Sequence, residues 1–289
     1  MFSKLRGKFN TKSLYHAINE LLTFLKKFLY LKQLKFNMLT KNELKYYSSL
    51  LQKKVRQKER KFLVEGVKLI KEGLNSNLKC EIILHTKSFF DDNKQFFEKG
   101  ILPADRIEVL KSLDFNKLTD TKTPQEVAAV FQMPNKISGT LLSGKLICAL
   151  ENISDPGNLG TILRNCDWFG IEQVILDGNC AEVYNPKVIR ASAGSVFHLD
   201  IFEQDDFYNF LKLQKQSGYQ ILCADLDGQN IYNYKQAGKE IIVLANEANG
   251  PTKNLLDISD TKVTIPKRGK AESLNVASAS AVILSELTN

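Results

Sequence analysis

A strand, a polar turn and a helix are encoded one after another in Leu150-Glu-Asn-Ile-Ser-Asp-Pro-Gly-Asn-Leu-Gly-Thr-Ile-Leu-Arg-Asn165. The apolar residues that end at Leu150 predict a short buried strand, and Asp155-Pro-Gly-Asn158 predicts a turn that opens a helix. In α/β proteins this order of elements builds a site at the carboxyl edge of the sheet. Arg164 lies on the predicted helix, and an arginine without a partner beside such a turn is suited to binding a phosphate.

The rest of the second half repeats this alternation. We predict strands at residues 145–150, 173–176, 219–224, 240–245 and 262–265. We predict helices that begin near Asn158, Asn185, Asp205 and Asn275. The pattern indicates an α/β fold with a mostly parallel sheet that carries helices on both faces.

Residues 38–135 predict a smaller α/β domain, which a polar, turn-rich linker at 136–144 separates from the domain at 145–289. The small domain contains a dense basic run made of Lys53, Lys54, Arg56, Lys58, Arg60 and Lys61. These positive charges, opposed only by Glu59, favour contact with RNA phosphates over a merely solvated helix face.

The charge of the chain is divided unequally between its halves. Residues 1–150 carry 28 Lys and Arg against 14 Asp and Glu, whereas residues 151–289 carry 12 against 18, within a net charge of +8. A basic half joined to a mildly acidic half suggests that one part holds a polyanion while the other performs a different task. On charge alone, an ordinary solvated surface explains the first half equally well.

Residues 1–37 form a basic leader that we predict to be dispensable, with Met38 as the functional start; an RNA-contacting extension is the alternative. Thr40 and Glu43 have the spacing of a capping box. No apolar stretch approaches the roughly 20 residues of a membrane span. The five cysteines contain no C-x-x-C pair, which favours free thiols in a reducing cytoplasm over disulfides or a metal site.

Four polar or glycine-containing segments follow predicted strands, namely residues 158–164, 185–195, 244–251 and 265–275. None of them contains a G-x-G-x-x-G fingerprint, a phosphate-binding P-loop or a G-x-S-x-G elbow. No cluster with metal-ligand spacing occurs either. The motifs of ordinary dinucleotide, nucleoside triphosphate, hydrolase and metal sites are therefore absent.

Three of these segments resemble, in order, the motifs of the SpoU/TrmH branch of the SPOUT RNA methyltransferases. The match consists of Asp155-Pro-Gly-Asn-Leu-Gly160 with Arg164, then Asn246-Glu247 with Gly250, then Ile265-Pro266 and Ser273-Leu-Asn-Val276. It covers residues 145–289 closely and extends loosely over 38–135. There, Phe62-Leu-Val-Glu-Gly66 and Thr121-Lys-Thr-Pro124 look like the substrate-binding domain of many members, which has an L30e-type fold.

The resemblance implies a C-terminal trefoil knot and methyl transfer from S-adenosylmethionine to a ribose 2′-hydroxyl, without a metal. It implies a cofactor pocket lined by Ala245, Asn246, Gly250, Ile265 and Leu274. It assigns catalysis to Arg164, which would hold the phosphate beside the target ribose or act as base, with orienting roles for Asn158, Glu247, Ser273 and Asn275. It also implies a cytoplasmic homodimer that acts on large-subunit ribosomal RNA.

Three alternatives stay open at this point. The nearest is the same reaction on tRNA. A non-catalytic RNA-binding or ribosome-assembly protein with the same fold is the second. Methylation of a base by a related knotted enzyme is the third.

Overall fold

The structure, a computed structural model, describes residues 39–97, 106–134, 142–247 and 249–289, together with Tyr15. Apart from Tyr15, the predicted leader at 1–37 lies outside the described residues, and so do residues 136–141 of the predicted linker. Within the described ranges, no helix combines the length and the apolarity needed to cross a bilayer.

The first domain is a small sheet with short helices around it. Its helices are α1 (Lys41–Ser49), α2 (Lys53–Glu59), α3 (Val67–Asn75), α4 (Lys87–Asp92), α5 (Lys94–Phe97) and α6 (Ser112–Phe115). Its strands are β1 (Lys61–Glu65), β2 (Cys80–Thr86), β3 (Ile107–Leu110) and β4 (Val127–Gln132). They lie in the order β1-β4-β2-β3, and only β2 and β3 are parallel. Thr40 and Glu43 form the predicted capping box of α1.

The second domain contains the strand, turn and helix of residues 150–165. Its strands are β5 (Leu146–Glu151), β6 (Gln173–Asp177), β7 (Asp200–Gln204), β8 (Tyr219–Asn230), β9 (Lys239–Ala245) and β10 (Thr261–Thr264). Its α-helices are α7 (Pro156–Trp168), α8 (Pro186–Ala191), α9 (Phe207–Gln216), α10 (Lys253–Ile258) and α11 (Val276–Leu287). The strands form one sheet in the order β10-β8-β9-β5-β6-β7, and every neighbouring pair is parallel.

Both faces of this sheet are buried, as the sequence predicts. Along β5, Ile147 and Ala149 pack into one core with residues of α9 and α10, whereas Cys148 and Leu150 pack into another with residues of α7 and α11. The alternation follows from the two-residue period of a strand. The predicted α/β class and the helices on both faces are therefore confirmed.

The five predicted strands are present, and their ends lie within one residue of the prediction with one exception. Strand β8 runs six residues further than expected. Its pairing with β10 breaks between Lys262 and Val263, so that residues of β8 bulge out of the ladder. Gly228 permits the close approach beyond the bulge, because a Cβ there would lie 2.5 Å from the backbone of Val263. The edge strands β3 and β7 and the short helix α10 are additions to the sequence prediction.

The two domains pack against each other along a junction of buried charges and rings. Arg56 of α2 forms an ion pair with Glu182 of the second domain, and only 2% of its surface is exposed. Phe62 stacks on Tyr184 with ring centroids 4.3 Å apart. Burial at this junction raises the pKa of the Tyr184 hydroxyl. The first domain is thus fixed to the second by contacts distant in sequence.

Further polar contacts border the junction. Arg190 of α8 donates two hydrogen bonds to Asp120, at 2.6 and 3.0 Å. His198 lies between two carboxylates, with Nδ1 2.9 Å from Asp167 and Nε2 3.3 Å from Glu72 of α3. Asp120 and Glu72 belong to the first domain, so both contacts join the two halves.

Candidate active site

Residues 150–165 place the polar start of a helix at the carboxyl edge of the sheet. Pro156 occupies the first turn of α7, where its missing N–H costs nothing. Asp155 caps the helix by accepting a hydrogen bond from the backbone N–H of Asn158 at 2.8 Å. This bond, together with Lys187 nearby, lowers the pKa of the Asp155 carboxyl. Because Asp155 provides the cap, the side chain of Asn158 is available for another contact.

Asn158 uses its side chain to join two distant loops. Its Nδ2 donates to Glu247 Oε1 at 2.8 Å, and its Oδ1 accepts from Asn275 Nδ2 at 3.0 Å. Asn275 Nδ2 also donates to Glu247 Oε1, at 2.9 Å. Glu247 and Asn275 are exposed and Asn158 is half-buried, and the three side chains complete a triangle of hydrogen bonds. Loops that follow β5, β9 and β10 therefore meet at one point.

Helix α11 is fixed to the same point. The Asn275 side chain caps α11 by accepting from the N–H groups of Ala277 and Ser278. On α7, Asn165 Nδ2 donates to the Ala277 carbonyl at 2.9 Å and to Ser280 Oγ at 2.8 Å. The motif thus holds the first and last helices of the domain together.

Gly160 of the quoted stretch has a packing role. A Cβ at this position would lie 2.6 Å from the Val188 carbonyl oxygen and from the Ala191 side chain. Only glycine lets α7 approach α8 so closely. The motif glycine therefore sets the position of α8, which carries Arg190.

A cleft of about 570 Å³ opens beside the triangle of Asn158, Glu247 and Asn275. Three segments form its walls, at residues 224–226, at 244–247 with 249–251, and within 263–276, with α11 behind them. Most of the wall is apolar, and a volume between roughly 300 and 1,000 Å³ is usual for a small-molecule site. The arrangement suits a ligand with an apolar body and a few polar groups.

The structure brings most of the predicted site residues to this cleft. Its lining includes Ala245, Asn246, Glu247, Gly250, Ile265, Ser273 and Leu274. Asn158 and Asn275 touch the lining through Glu247. Arg164 is exposed on α7 and does not line the cleft of the single chain. In the described part of the chain, its guanidinium has no hydrogen bond or ion pair.

The structure divides the predicted basic run into separate environments. Lys53, Lys54 and Lys58 of α2 are exposed. Arg60 donates to the carbonyl oxygen of Pro134, and Lys61 forms an ion pair with Glu81 at 2.6 Å. These two side chains are therefore already engaged within the domain.

Arg56 requires a correction to the expected RNA-binding set. Its Nε donates to both carboxylate oxygens of Glu182, at 3.0 and 3.2 Å, and its Nη1 donates to the carbonyl oxygens of Leu50 and Leu51. A guanidinium with these partners has no surface left to face a phosphate. Arg56 is a junction residue, because the amphipathic turn of α2 directs it toward the second domain.

Three cationic residues at or next to the cleft are additions to the predicted site. Lys267 and Arg268 lie on the cleft wall, and Lys270 follows them on the same exposed loop. In the described residues, none of the three has an ion pair. Their signal in the sequence is the Lys267-Arg268-Gly269-Lys270 group, which stands out in a half with an excess of acidic residues.

Among the described residues, no group of three or more His, Cys, Asp or Glu side chains is arranged to hold a metal ion. The five cysteines are free and buried. Burial raises the pKa of the Cys80 and Cys223 thiols to about 12, so both stay protonated near neutral pH. The polar chemistry near the cleft is thus carried by amide, carboxylate, hydroxyl and cationic groups.

Each of the two domains matches the profile of a known protein family. The profile of the SpoU rRNA methylase family matches residues 145–285, and that of an MRM3-like substrate-binding domain matches residues 41–129. The 23S rRNA guanosine 2′-O-methyltransferase RlmP of Bacillus subtilis is 31% identical over 247 residues, which are 85% of this chain and 95% of that protein.

Solved structures show the same similarity over both domains. A TrmH-family protein from Porphyromonas gingivalis superposes with a TM-score of 0.77 at 33% identity, over 86% of this chain and 98% of that one. An AdoMet-bound rRNA methyltransferase from Sinorhizobium meliloti gives a TM-score of 0.75 at 27% identity, over 86% and 95% of the two chains.

Proposed function

This chain belongs to the SpoU rRNA methylase family, and on that premise we propose that it transfers a methyl group from S-adenosylmethionine to a ribose 2′-hydroxyl of 23S ribosomal RNA. The observation that carries the proposal is the meeting of Asn158, Glu247 and Asn275 beside the cleft. Three loops that converge on one point create a site, whereas isolated caps and turns would not.

The cleft fits the proposed cofactor. Ala245, Ile265 and Leu274 offer an apolar wall for the adenosyl group, and Asn246 and Gly250 offer polar and backbone groups. When bound, S-adenosylmethionine would supply a methyl group that its sulfonium opens to attack by the 2′-oxygen, with the neutral thioether as the leaving group. The protein then has to position the acceptor and lower the cost of removing its proton.

Arg164 is the proposed catalytic residue. An exposed guanidinium with no partner in the described chain is free to hold the phosphate next to the target ribose. Its charge also stabilises negative charge that develops on the 2′-oxygen. We favour this role over general-base action, because a guanidinium is hardly ever deprotonated in a protein.

The remaining site residues orient the reactants. Asn158, Glu247 and Asn275 hold the loops around the cleft through their mutual hydrogen bonds. Ser273 lies exposed on the cleft wall, where its hydroxyl is within the reach of a ligand. The reaction as proposed requires no metal.

Two cationic surfaces would hold the RNA. The first is the exposed part of the basic run on α2, Lys53, Lys54 and Lys58. The second is the loop at the cleft with Lys267, Arg268 and Lys270. Exposed lysine and arginine side chains bind the phosphate backbone, and the one ion pair among these residues in the described chain is the long contact of Lys58 with Glu59 at 3.9 Å. The first domain would thus capture the RNA, and the loop would guide it to the cleft.

We further propose that the enzyme is a homodimer. Trp168 ends α7 with 81% of its surface exposed, and it lies one turn beyond Arg164 on that helix. A second copy packed on this helix would cover the indole. Sedimentation of the full chain tests the proposal, and a monomer at micromolar concentration would contradict it.

The organisation into a leader at 1–37, an L30e-like domain at 38–135, a linker at 136–144 and a methyltransferase domain at 145–289 is also proposed. Profile matches at 41–129 and 145–285 support it. The C-terminal trefoil knot is supported by the family and by the three segments that line one cleft. A cytoplasmic location accords with the free thiols.

Removal of residues 1–37 should leave methyl transfer intact. A large loss of methyl transfer in a truncated chain that still folds would contradict this.

The reaction is tested by incubating the full chain with labelled S-adenosylmethionine and either ribosomal RNA or tRNA. Mass spectrometry of the digested RNA then locates the methyl group. We expect a ribose-methylated nucleotide from 23S RNA. A methylated base would overturn the chemistry, and a methyl group found only in tRNA would overturn the substrate. Cofactor binding without any transfer would favour the RNA-binding or assembly alternative.

A further inference from the structure

Glu151 is a buried carboxylate that the proposed chemistry does not use. It is the last residue of β5, shortly before the turn at residues 155–158, and its surface is 0% exposed. In the described residues, no cation pairs with it. A buried carboxylate is costly unless hydrogen bonds replace its hydration. Glu151 therefore depends on the groups that donate to it.

Two of the three hydrogen-bond donors to Glu151 belong to Thr252, in the segment that follows the cleft wall. The Thr252 hydroxyl donates to Glu151 Oε1 at 2.6 Å, and the Thr252 backbone N–H donates to Oε2 at 3.0 Å. The Tyr208 hydroxyl of α9 also donates to Oε1, at 2.7 Å. Thr252 is in turn the cap of α10. Glu151 thus fixes the residue at which the loop after β9 ends.

The next residue fixes the start of the same loop. Asn246 Nδ2 donates to the Asn152 carbonyl oxygen at 3.1 Å, and the Asn152 N–H donates to Asp177 Oδ2 at 3.1 Å. Asn152 has a φ of 57°, a conformation that residues other than glycine adopt rarely. Residues 151 and 152 therefore hold both ends of the loop at 246–252, whose residues 246, 247, 249, 250 and 251 line the cleft.

We propose that Glu151 is a positioning residue of the cofactor site, which fixes the loop at 246–252 in the conformation that binds the nucleoside of a sulfonium cofactor. The proposal rests on the proposed function. It differs from a general role in stability because two of the three hydrogen bonds of Glu151 come from Thr252, at the end of the cleft loop.

The chain contains a matched control in Glu240. This residue is also 0% exposed in the same sheet, and its Oε1 accepts from the Tyr234 hydroxyl at 2.7 Å and from the Ala237 N–H at 2.8 Å. It lies at the start of β9, at the opposite edge of the sheet from the cleft. Replacement by glutamine removes a buried charge at both positions, whereas weaker cofactor binding should follow only from the change at Glu151.

The test compares Glu151→Gln with Glu240→Gln in the full chain. Glutamine has a single acceptor oxygen, so the Thr252 N–H and the hydroxyls of Thr252 and Tyr208 can no longer all donate to residue 151. We expect Glu151→Gln to weaken S-adenosylmethionine binding at least tenfold in calorimetry. Glu240→Gln should stay within twofold of the parent chain. KM for the cofactor should rise in Glu151→Gln while KM for RNA is unchanged.

A second pair of variants guards against misfolding. Thr252→Ser keeps both hydrogen bonds and should retain cofactor affinity, whereas Thr252→Val removes the hydroxyl and should lose it. Hydrogen exchange without cofactor should show faster exchange of residues 246–252 in Glu151→Gln, and no change there in Glu240→Gln. This readout is independent of the reaction.

The proposal is overturned if Glu151→Gln binds the cofactor within twofold of the parent chain, or if Glu240→Gln weakens binding equally. Unchanged exchange of residues 246–252 in Glu151→Gln would also overturn it. A parent chain that binds the cofactor but methylates no ribose would instead defeat the proposed function, and the exchange result would still decide the role of Glu151.

Discussion

The junction between the domains and the cleft at the carboxyl edge use charged side chains in opposite ways. At the junction, Arg56 is buried against Glu182, and Arg190 binds Asp120. At the cleft, Lys267 and Arg268 are exposed and have no ion pair among the described residues. Charged side chains that have ion-pair partners within the protein stabilise the structure. Charged side chains without such partners beside a cavity are available to a ligand.

The largest effect should come from Arg164. We expect Arg164→Ala to lower the rate of methyl transfer by on the order of 10³-fold, because removal of one group that stabilises developing charge costs about 10²–10³ in rate. Cofactor binding should survive, since Arg164 does not line the cleft. The measurements are transfer of labelled methyl to RNA and calorimetry with S-adenosylmethionine.

Arg190→Ala is the control for this variant, because it removes an arginine that already has a partner. Its rate should stay within about threefold of the parent chain, since a partly exposed ion pair contributes about 1 kcal/mol or less. Equal losses in both variants would remove the distinction between the two regions.

The second effect concerns stability at the junction. Arg56→Met leaves the Glu182 carboxylate buried without its partner, which should lower the free energy of unfolding by about 3–5 kcal/mol. The double variant with Glu182→Met should recover most of this loss, because it removes both buried charges. Urea denaturation measures both. Retained RNA affinity in the double variant would support the removal of Arg56 from the RNA surface.

A third effect separates the exposed lysines from the rest of the basic run. Simultaneous replacement of Lys53, Lys54 and Lys58 by Ala should weaken RNA binding and reduce the slope of log K against log salt by roughly 0.7–0.9 per lost phosphate contact. Stability should change by less than about 0.5 kcal/mol. Replacement of the exposed Lys145, Lys212 and Lys235 is the matched control. An unchanged salt slope would exclude α2 from the RNA surface.

The smallest effect is a pH dependence at the junction. Burial disfavours the charged ring of His198, but the hydrogen bond and charge of Asp167, with those of Glu72, outweigh it and raise the pKa. A raised pKa in the fold contributes stability below the unfolded value of about 6.5, and the contribution is lost as pH rises through the folded value.

The expected size is about 0.5 kcal/mol, since His198 is substantially exposed and solvent screens the pair. Urea denaturation at pH 5.5 and pH 8.5 measures it. The parent chain should exceed His198→Gln in stability by more at the lower pH. An equal difference at both values would show that these carboxylates do not hold the proton.

The elements that the sequence predicted and those it did not differ in length and burial. Strands such as β5 and β9 are buried on both faces and give continuous apolar runs. The edge strand β7 has exposed and half-buried positions, and α10 has only six residues, so neither presents a periodic pattern. The polar end of β8 is a strand only because β10 pairs with it beyond the bulge.

The candidate site was predictable to the extent that its residues form ordered motifs. Asn158, Glu247 and Asn275 were expected to act together, and the structure joins them by hydrogen bonds. The positions of Arg56 and Glu151 were not predictable, because their partners Glu182 and Thr252 lie 126 and 101 residues away. No local pattern encodes such distant pairs.

The sequence alone determined the alternation of strand and helix, the charge asymmetry and the motifs that identify the family. These properties depend on residue type and spacing, which are local. Only the tertiary structure decided which charged side chains form ion pairs within the protein and which stay exposed to a ligand. Arg56 and Lys58 lie two positions apart on the same helix, yet one is buried in an ion pair and the other is exposed. Their difference comes from the domain packed against one side of that helix, since burial is a property of the surroundings rather than of the residue.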